Sequence, residues 1–71
     1  MADERAAQFT RQALDYLRSD RFPQAAEFAR QAIELDPENG EAYGALGIAL
    51  AQMGRSAEAT EALRGGAALR P

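Results

Sequence analysis

The side chains that could do chemistry in this sequence are few and poorly matched to one another. Ser19, Ser56, Thr10 and Thr60 carry hydroxyls, but the chain has no His, and its 8 basic residues are all Arg. A hydroxyl nucleophile therefore lacks the imidazole or amine that would activate it, and no Lys can form a Schiff base. Cys is absent, which removes thiolate ligands and disulfides and leaves the redox compartment open. The carboxylate pairs Glu38 with Glu41 and Glu58 with Glu61 fall near the starts of helical stretches, where negative charge favours the positive end of the helix dipole. They read as solvated first-turn charges rather than an acid–base pair. Asp36, Glu38, Asn39 and Glu41 gather oxygens, yet their spacing departs from the D-x-[DN]-x-[DN]-G calcium loop and Pro37 interrupts them. The glycines follow no strand, so they make no phosphate cradle. The expectation is a chain with no catalytic residue, no metal and no cofactor.

Charge and length narrow the partners. A chain of 71 residues is one small domain, with a formal charge of -3. It has no basic stripe to displace phosphate counterions, so neither nucleic acid nor an anionic membrane surface is an expected partner. No apolar run approaches the roughly 20 residues that cross a bilayer. The start, Met1-Ala2-Asp3-Glu4-Arg5, lacks the apolar core of a secretory signal. The expected location is the cytoplasm, and the expected partner is another protein or peptide segment.

Abundant Ala, scarce β-branched residues and alternating charges point to an all-α chain. Breakers divide it into four helices. The first runs from about residue 3 or 4 to 18, with Asp3 as cap and Phe9, Ala13, Tyr16 and Leu17 at helical spacing. Pro23 suits the first position of the second helix, which runs to about Leu35. A turn at residues 36–40 then breaks the chain. The third helix starts near Glu41, capped by Asn39 or Gly40, and stops at Gly54 as a left-handed C-terminal residue. Ser56 is expected to cap the fourth. Short loops make neighbouring helices antiparallel.

A shift of 34 residues brings the halves into register. Phe9 falls on Tyr43, Ala13 on Gly47, Tyr16 on Leu50, Asp20 on Gly54, Arg21 on Arg55, Ala25 on Ala59 and Pro37 on Pro71. Small residues at Ala13, Gly47, Ala25 and Ala59 would let paired helices approach closely, with Phe9, Tyr16, Tyr43 and Leu46 filling the space beside them. In the second copy Tyr43, Leu46 and Gly47 match the W-x2-L-G element, and Ala59, Leu63 and Pro71 the A-x3-F…P element, of the tetratricopeptide repeat. The first copy is looser, with Gln12 where Leu is usual and Ala29 where Phe is usual. The chain thus resembles two tandem tetratricopeptide repeats, about residues 6–39 and 40–71. The resemblance implies four antiparallel helices in a short right-handed α-solenoid. It also implies a protein–protein interaction module, a scaffold or peptide binder, whose concave groove is lined by the first helix of each repeat. Carried over position by position, the groove residues are Thr10, Arg11, Leu14, Leu17, Arg18, Gly44, Ala45, Ile48 and Gln52. Thr10, Leu14 and Ile48 stand where one subclass carries its carboxylate-clamping Lys and Asn, so that clamp is absent. Apolar Leu14, Leu17 and Ile48 between Arg11 and Arg18 suit an apolar partner segment with an acidic residue.

In a solenoid each second helix buries a face under the following repeat. In the second copy that face is an edge formed by Thr60, Leu63, Ala67 and Leu69, and Gly65-Gly66 weakens its helix. Gly66 stands in for the small Ala32, whereas Gly65 has no evident packing role. Two explanations stay open. The chain reads as a fragment of a longer repeat protein, or the edge is a self-association surface that makes a homo-oligomer.

Overall fold

The computed structural model describes residues 4–68. They form four helices, α1 (Glu4–Arg18), α2 (Phe22–Leu35), α3 (Gly40–Gln52) and α4 (Ser56–Ala68). Helix α1 packs on α2 and α3 on α4, and the two hairpins join mainly through α2 and α3, with a smaller α1–α3 contact. The fold is all-α and built of helix–turn–helix repeats. Asp3, Leu69 and Pro71 lie outside the described residues, and with them the expected first cap and the last edge residue.

The 34-residue register is a geometric repeat as well as a sequence one. At the end of α1 the Arg21 N–H donates to Tyr16 O at 2.9 Å and the Asp20 N–H to Leu17 O at 3.1 Å. At the end of α3 the Arg55 N–H donates to Leu50 O at 2.9 Å and the Gly54 N–H to Ala51 O at 3.0 Å. Both are Schellman closures, which need a left-handed residue at the fifth place. Gly54 supplies it at φ 78°, and Asp20 supplies it at φ 59° despite its side chain. The next helix then opens on a backbone bond from Ala25 N to Arg21 O, or from Ala59 N to Arg55 O. Ser56 is therefore the first residue of α4 and not its cap. Its carbonyl accepts from the Thr60 hydroxyl instead.

Small residues bring the helices together, as their spacing suggests. Ala13, Ala25, Ala29, Ala32, Ala42 and Ala49 are fully buried, and Leu50 is the one large side chain among the described residues that is. A Cβ on Gly47 would lie 2.7 Å from Leu63 Cδ2 and 3.4 Å from Ala59 O, so an alanine there would have to push the Leu63 side chain aside. The aromatic rings pack at the rim of this alanine core. Phe28 of α2 lies between Phe9 and Tyr16 of α1, with ring centroids 5.9 and 5.3 Å away, and Tyr16 is stacked on it.

Gly65-Gly66 proves to be a seat for the second tyrosine. A Cβ on Gly65 would meet Tyr43 Cε1 at 3.0 Å, and one on Gly66 would meet Tyr43 Cβ at 3.0 Å and Gly40 O at 3.4 Å. The pair leaves α4 unbroken through Ala68. Gly65 thus has the packing role that the sequence did not reveal, because the ring it accommodates is 22 residues earlier in the chain.

One polar chain ties the hairpins together. Asn39 Oδ1 accepts from Ala42 N at 3.1 Å and caps α3. Its amide Nδ2 donates to Thr10 Oγ1 at 2.9 Å, and that hydroxyl donates to Ala6 O at 2.8 Å. By comparison the Arg30–Glu58 pair between α2 and α4 spans 3.8 Å with both side chains about half exposed, which makes it worth at most about 1 kcal/mol.

Two stability tests follow from these contacts. Asn39→Ala removes cap and tie together and is expected to cost about 1–2 kcal/mol. Asn39→Asp keeps the cap acceptor and loses only the donor to Thr10, so its melting temperature should lie between those of the parent and Asn39→Ala. The second test compares glycines. Among the described residues a Cβ on Gly44 would have nothing within 4 Å, whereas one on Gly66 would meet backbone and Tyr43. Gly44→Ala should stabilise the isolated chain by about 1 kcal/mol, and Gly66→Ala should give no such gain in thermal denaturation.

Candidate functional site

The solvent-facing stripes of α1 and α3 follow from helical spacing. Burial of Ala42, Ala45, Leu46, Ala49 and Leu50 leaves Glu41, Ile48, Ala51 and Gln52 exposed on α3. Ile48 is 49% exposed, a large apolar side chain with no cover. On α1 the corresponding stripe is Ala7, Arg11, Leu14 and Arg18. Leu14 and Leu17 are partly buried and pack against the core, so each offers only an edge to a partner. Arg18 pairs with Asp15 three residues earlier at 3.5 Å, and the Arg18 side chain is 81% exposed. That local pair does not fix it in place.

Two expected groove residues are not available. Thr10 is 3% exposed and Ala45 is 2% exposed. Thr10 spends its hydroxyl on Ala6 and Asn39. Ala45 is buried because α3 is covered on more than one side, by its partner α4 and by the first hairpin. A helix packed that way keeps only a narrow solvent stripe. Gly44 lies elsewhere too. It opens toward α4, where Gly40, Gly44, Leu63, Gly66 and Ala67 line a hollow of about 180 Å³.

A cleft lies at one end of the α1 stripe. It has a volume of about 490 Å³ and runs between Ala7, Thr10, Arg11 and Leu14 of α1 and residues 36, 38, 39, 40 and 41. Its lining brings Asp36 and Glu38 of the α2–α3 turn and Glu41 of α3 together with Arg11 of α1. None of these four charges has an ion-pair partner among the described residues. Asp36 Oδ1 accepts from the Glu38 N–H at 3.2 Å, which holds the turn. The sequence marks these carboxylates only as a cation site of wrong spacing, and gives no sign that they and Arg11 line one cleft. Among the described residues no group of acidic side chains is arranged to hold a metal ion. No described helix is long and apolar enough to cross a membrane.

Thr60, Leu63 and Ala67 are all exposed on α4. Leu63 is 49% exposed even though its other side packs at Gly47.

The repeated Schellman turns, the glycine at the α3–α4 crossing and the Asn39 tie describe a helical-repeat unit, and a family model for the tetratricopeptide repeat matches residues 16–71. The chain belongs to the tetratricopeptide repeat family. The match begins inside α1, in the copy whose Gln12 and Ala29 depart from the pattern. No curated protein and no solved structure gives a match. Tetratricopeptide repeats are in general protein–protein interaction modules.

Proposed function

We propose that this tetratricopeptide repeat chain binds a segment of another protein along the α1–α3 face. The observation that carries this reading is Ile48, a half-exposed isoleucine in the middle of α3. It stands on the helix that contacts α1, whose Leu14 and Leu17 show partial exposure. A helix or extended strand of the partner would cover these three apolar groups. The lining of the cleft holds three acidic residues and one Arg. That balance supports a partner with a basic residue at this end, rather than the acid that Arg11 and Arg18 invite when read alone. Arg11 and Gln52 would contribute polar contacts at the rim.

A second reading is favoured by Leu63, which is as exposed as Ile48. On it the chain pairs with itself through the α4 edge.

A displayed peptide library selected on the folded chain tests the first reading. Enriched peptides are expected to join apolar residues to a Lys or Arg, and Ile48→Glu should lose them at unchanged helicity. Equal binding by Ile48→Glu, or selection of acidic peptides, would remove the α1–α3 face or its charge logic respectively.

A further inference from the structure

Asn39 is the one asparagine of the chain, and Gly40 follows it. That pair has a covalent chemistry open to it without any catalyst. The Gly40 backbone nitrogen, once it gives up its proton to hydroxide, can attack Asn39 Cγ. The new N–Cγ bond closes a five-membered succinimide ring, and the bond from Cγ to Nδ2 breaks, so that Nδ2 leaves as ammonia. Water then opens the ring. Cleavage of the N–Cγ bond leaves an aspartate. Cleavage of the bond to the main-chain carbonyl leaves an isoaspartate, whose backbone runs through Cγ and is one atom longer. A glycine at the attacking position has no Cβ to obstruct the approach.

The fold decides when this reaction can start. Nδ2, the leaving group, donates to Thr10 Oγ1 at 2.9 Å, and Oδ1 accepts from Ala42 N at 3.1 Å. The Asn39 backbone is held at φ -82° and ψ 91°, which turns the Gly40 nitrogen well away from Cβ. Ring closure needs that nitrogen rotated round to Cβ, a motion that unwinds the start of α3 and breaks both side-chain bonds. Nothing else stands in the way. Gly40 is the first residue of α3, where a backbone N–H has no acceptor within its own helix. Asn39 and Gly40 are both partly exposed, so hydroxide and water reach them.

We infer that Asn39–Gly40 is a self-modification site of this chain, converted to aspartate and isoaspartate when the start of α3 lets go of Thr10. The conversion is one-way, and its position makes it consequential. An ionised aspartate still caps α3, since Asp and Asn cap comparably, but it has no hydrogen to donate to Thr10. It also adds a negative charge to a cleft that already holds Asp36, Glu38 and Glu41. The isoaspartate displaces the carboxylate from the cap as well. Both products remove the one polar tie that sets the second hairpin on the first, so the tie protects its own amide until it opens.

Incubation at mildly alkaline pH, followed by peptide mapping that separates aspartate from isoaspartate, tests this. The folded parent should convert at Asn39, and more slowly than the same chain in denaturant. Thr10→Val keeps the shape of the side chain and removes the acceptor. At unchanged helicity it should convert about threefold or more faster than the parent, the factor that one net hydrogen bond represents. Gly40→Ala should convert several-fold more slowly, and its Cβ would meet Gly66 O at an ordinary 3.7 Å. Converted chain, separated by its added charge, should melt below the parent. A folded parent that stays unconverted while the denatured chain converts overturns the site. Folded and denatured chains that convert alike, with Thr10→Val no faster, overturn the control by the tie.

Discussion

The approach of helices through small side chains is the constraint on which the other features rest. With alanine or glycine at nearly every fully buried position, the backbones themselves form much of the core. Stability then comes from many short-range contacts of atoms already near van der Waals distance, not from a few bulky side chains. Such a core has little room for growth. It also displaces the large apolar groups outward: Phe9, Tyr16, Phe28 and Tyr43 end at the rim, and Ile48 and Leu63 reach solvent. The surfaces open to partners follow from this displacement.

A second constraint fixes how one hairpin sits on the other. Alanine faces alone are smooth and would tolerate sliding. Asn39 removes that freedom, because one side chain both starts α3 and grips Thr10 on α1. The position of the α3 helix start is thereby linked to a particular turn of α1. The cleft with its carboxylate wall lies at that junction, so the geometry of the polar mouth depends on the same amide. A buried hydroxyl and amide with matched partners specify one arrangement where apolar contacts permit several.

Helix boundaries and the close-packed glycine are legible in the sequence because they obey local rules. Pro23, Asn39 and Gly54 act on their own neighbours, and the 34-residue register compares like with like. What the sequence conceals depends on contacts between distant residues. Thr10 looks like a groove residue from the resemblance to the family, but Asn39 reaches it from 29 residues away. Ala45 looks available for the same reason and is covered by the first hairpin. Gly65 looks idle, because the need for it comes from Tyr43. Ser56 illustrates a local rule that fails: the repeated turn already delivers the Arg55 carbonyl to the helix start, so a serine side chain is not required there.

The aromatic placement has an optical consequence. The chain contains no Trp and 2 Tyr. Tyr16 is stacked on Phe28 within the first hairpin, and Tyr43 rests on Gly65 and Gly66 within the second. Each hairpin thus carries its own intrinsic chromophore, in a distinct environment and free of indole emission. Replacing either tyrosine by phenylalanine would silence one reporter and leave the other. Tyrosine fluorescence could then follow the loosening of each half separately, and reveal whether the two hairpins melt as one cooperative unit or in sequence.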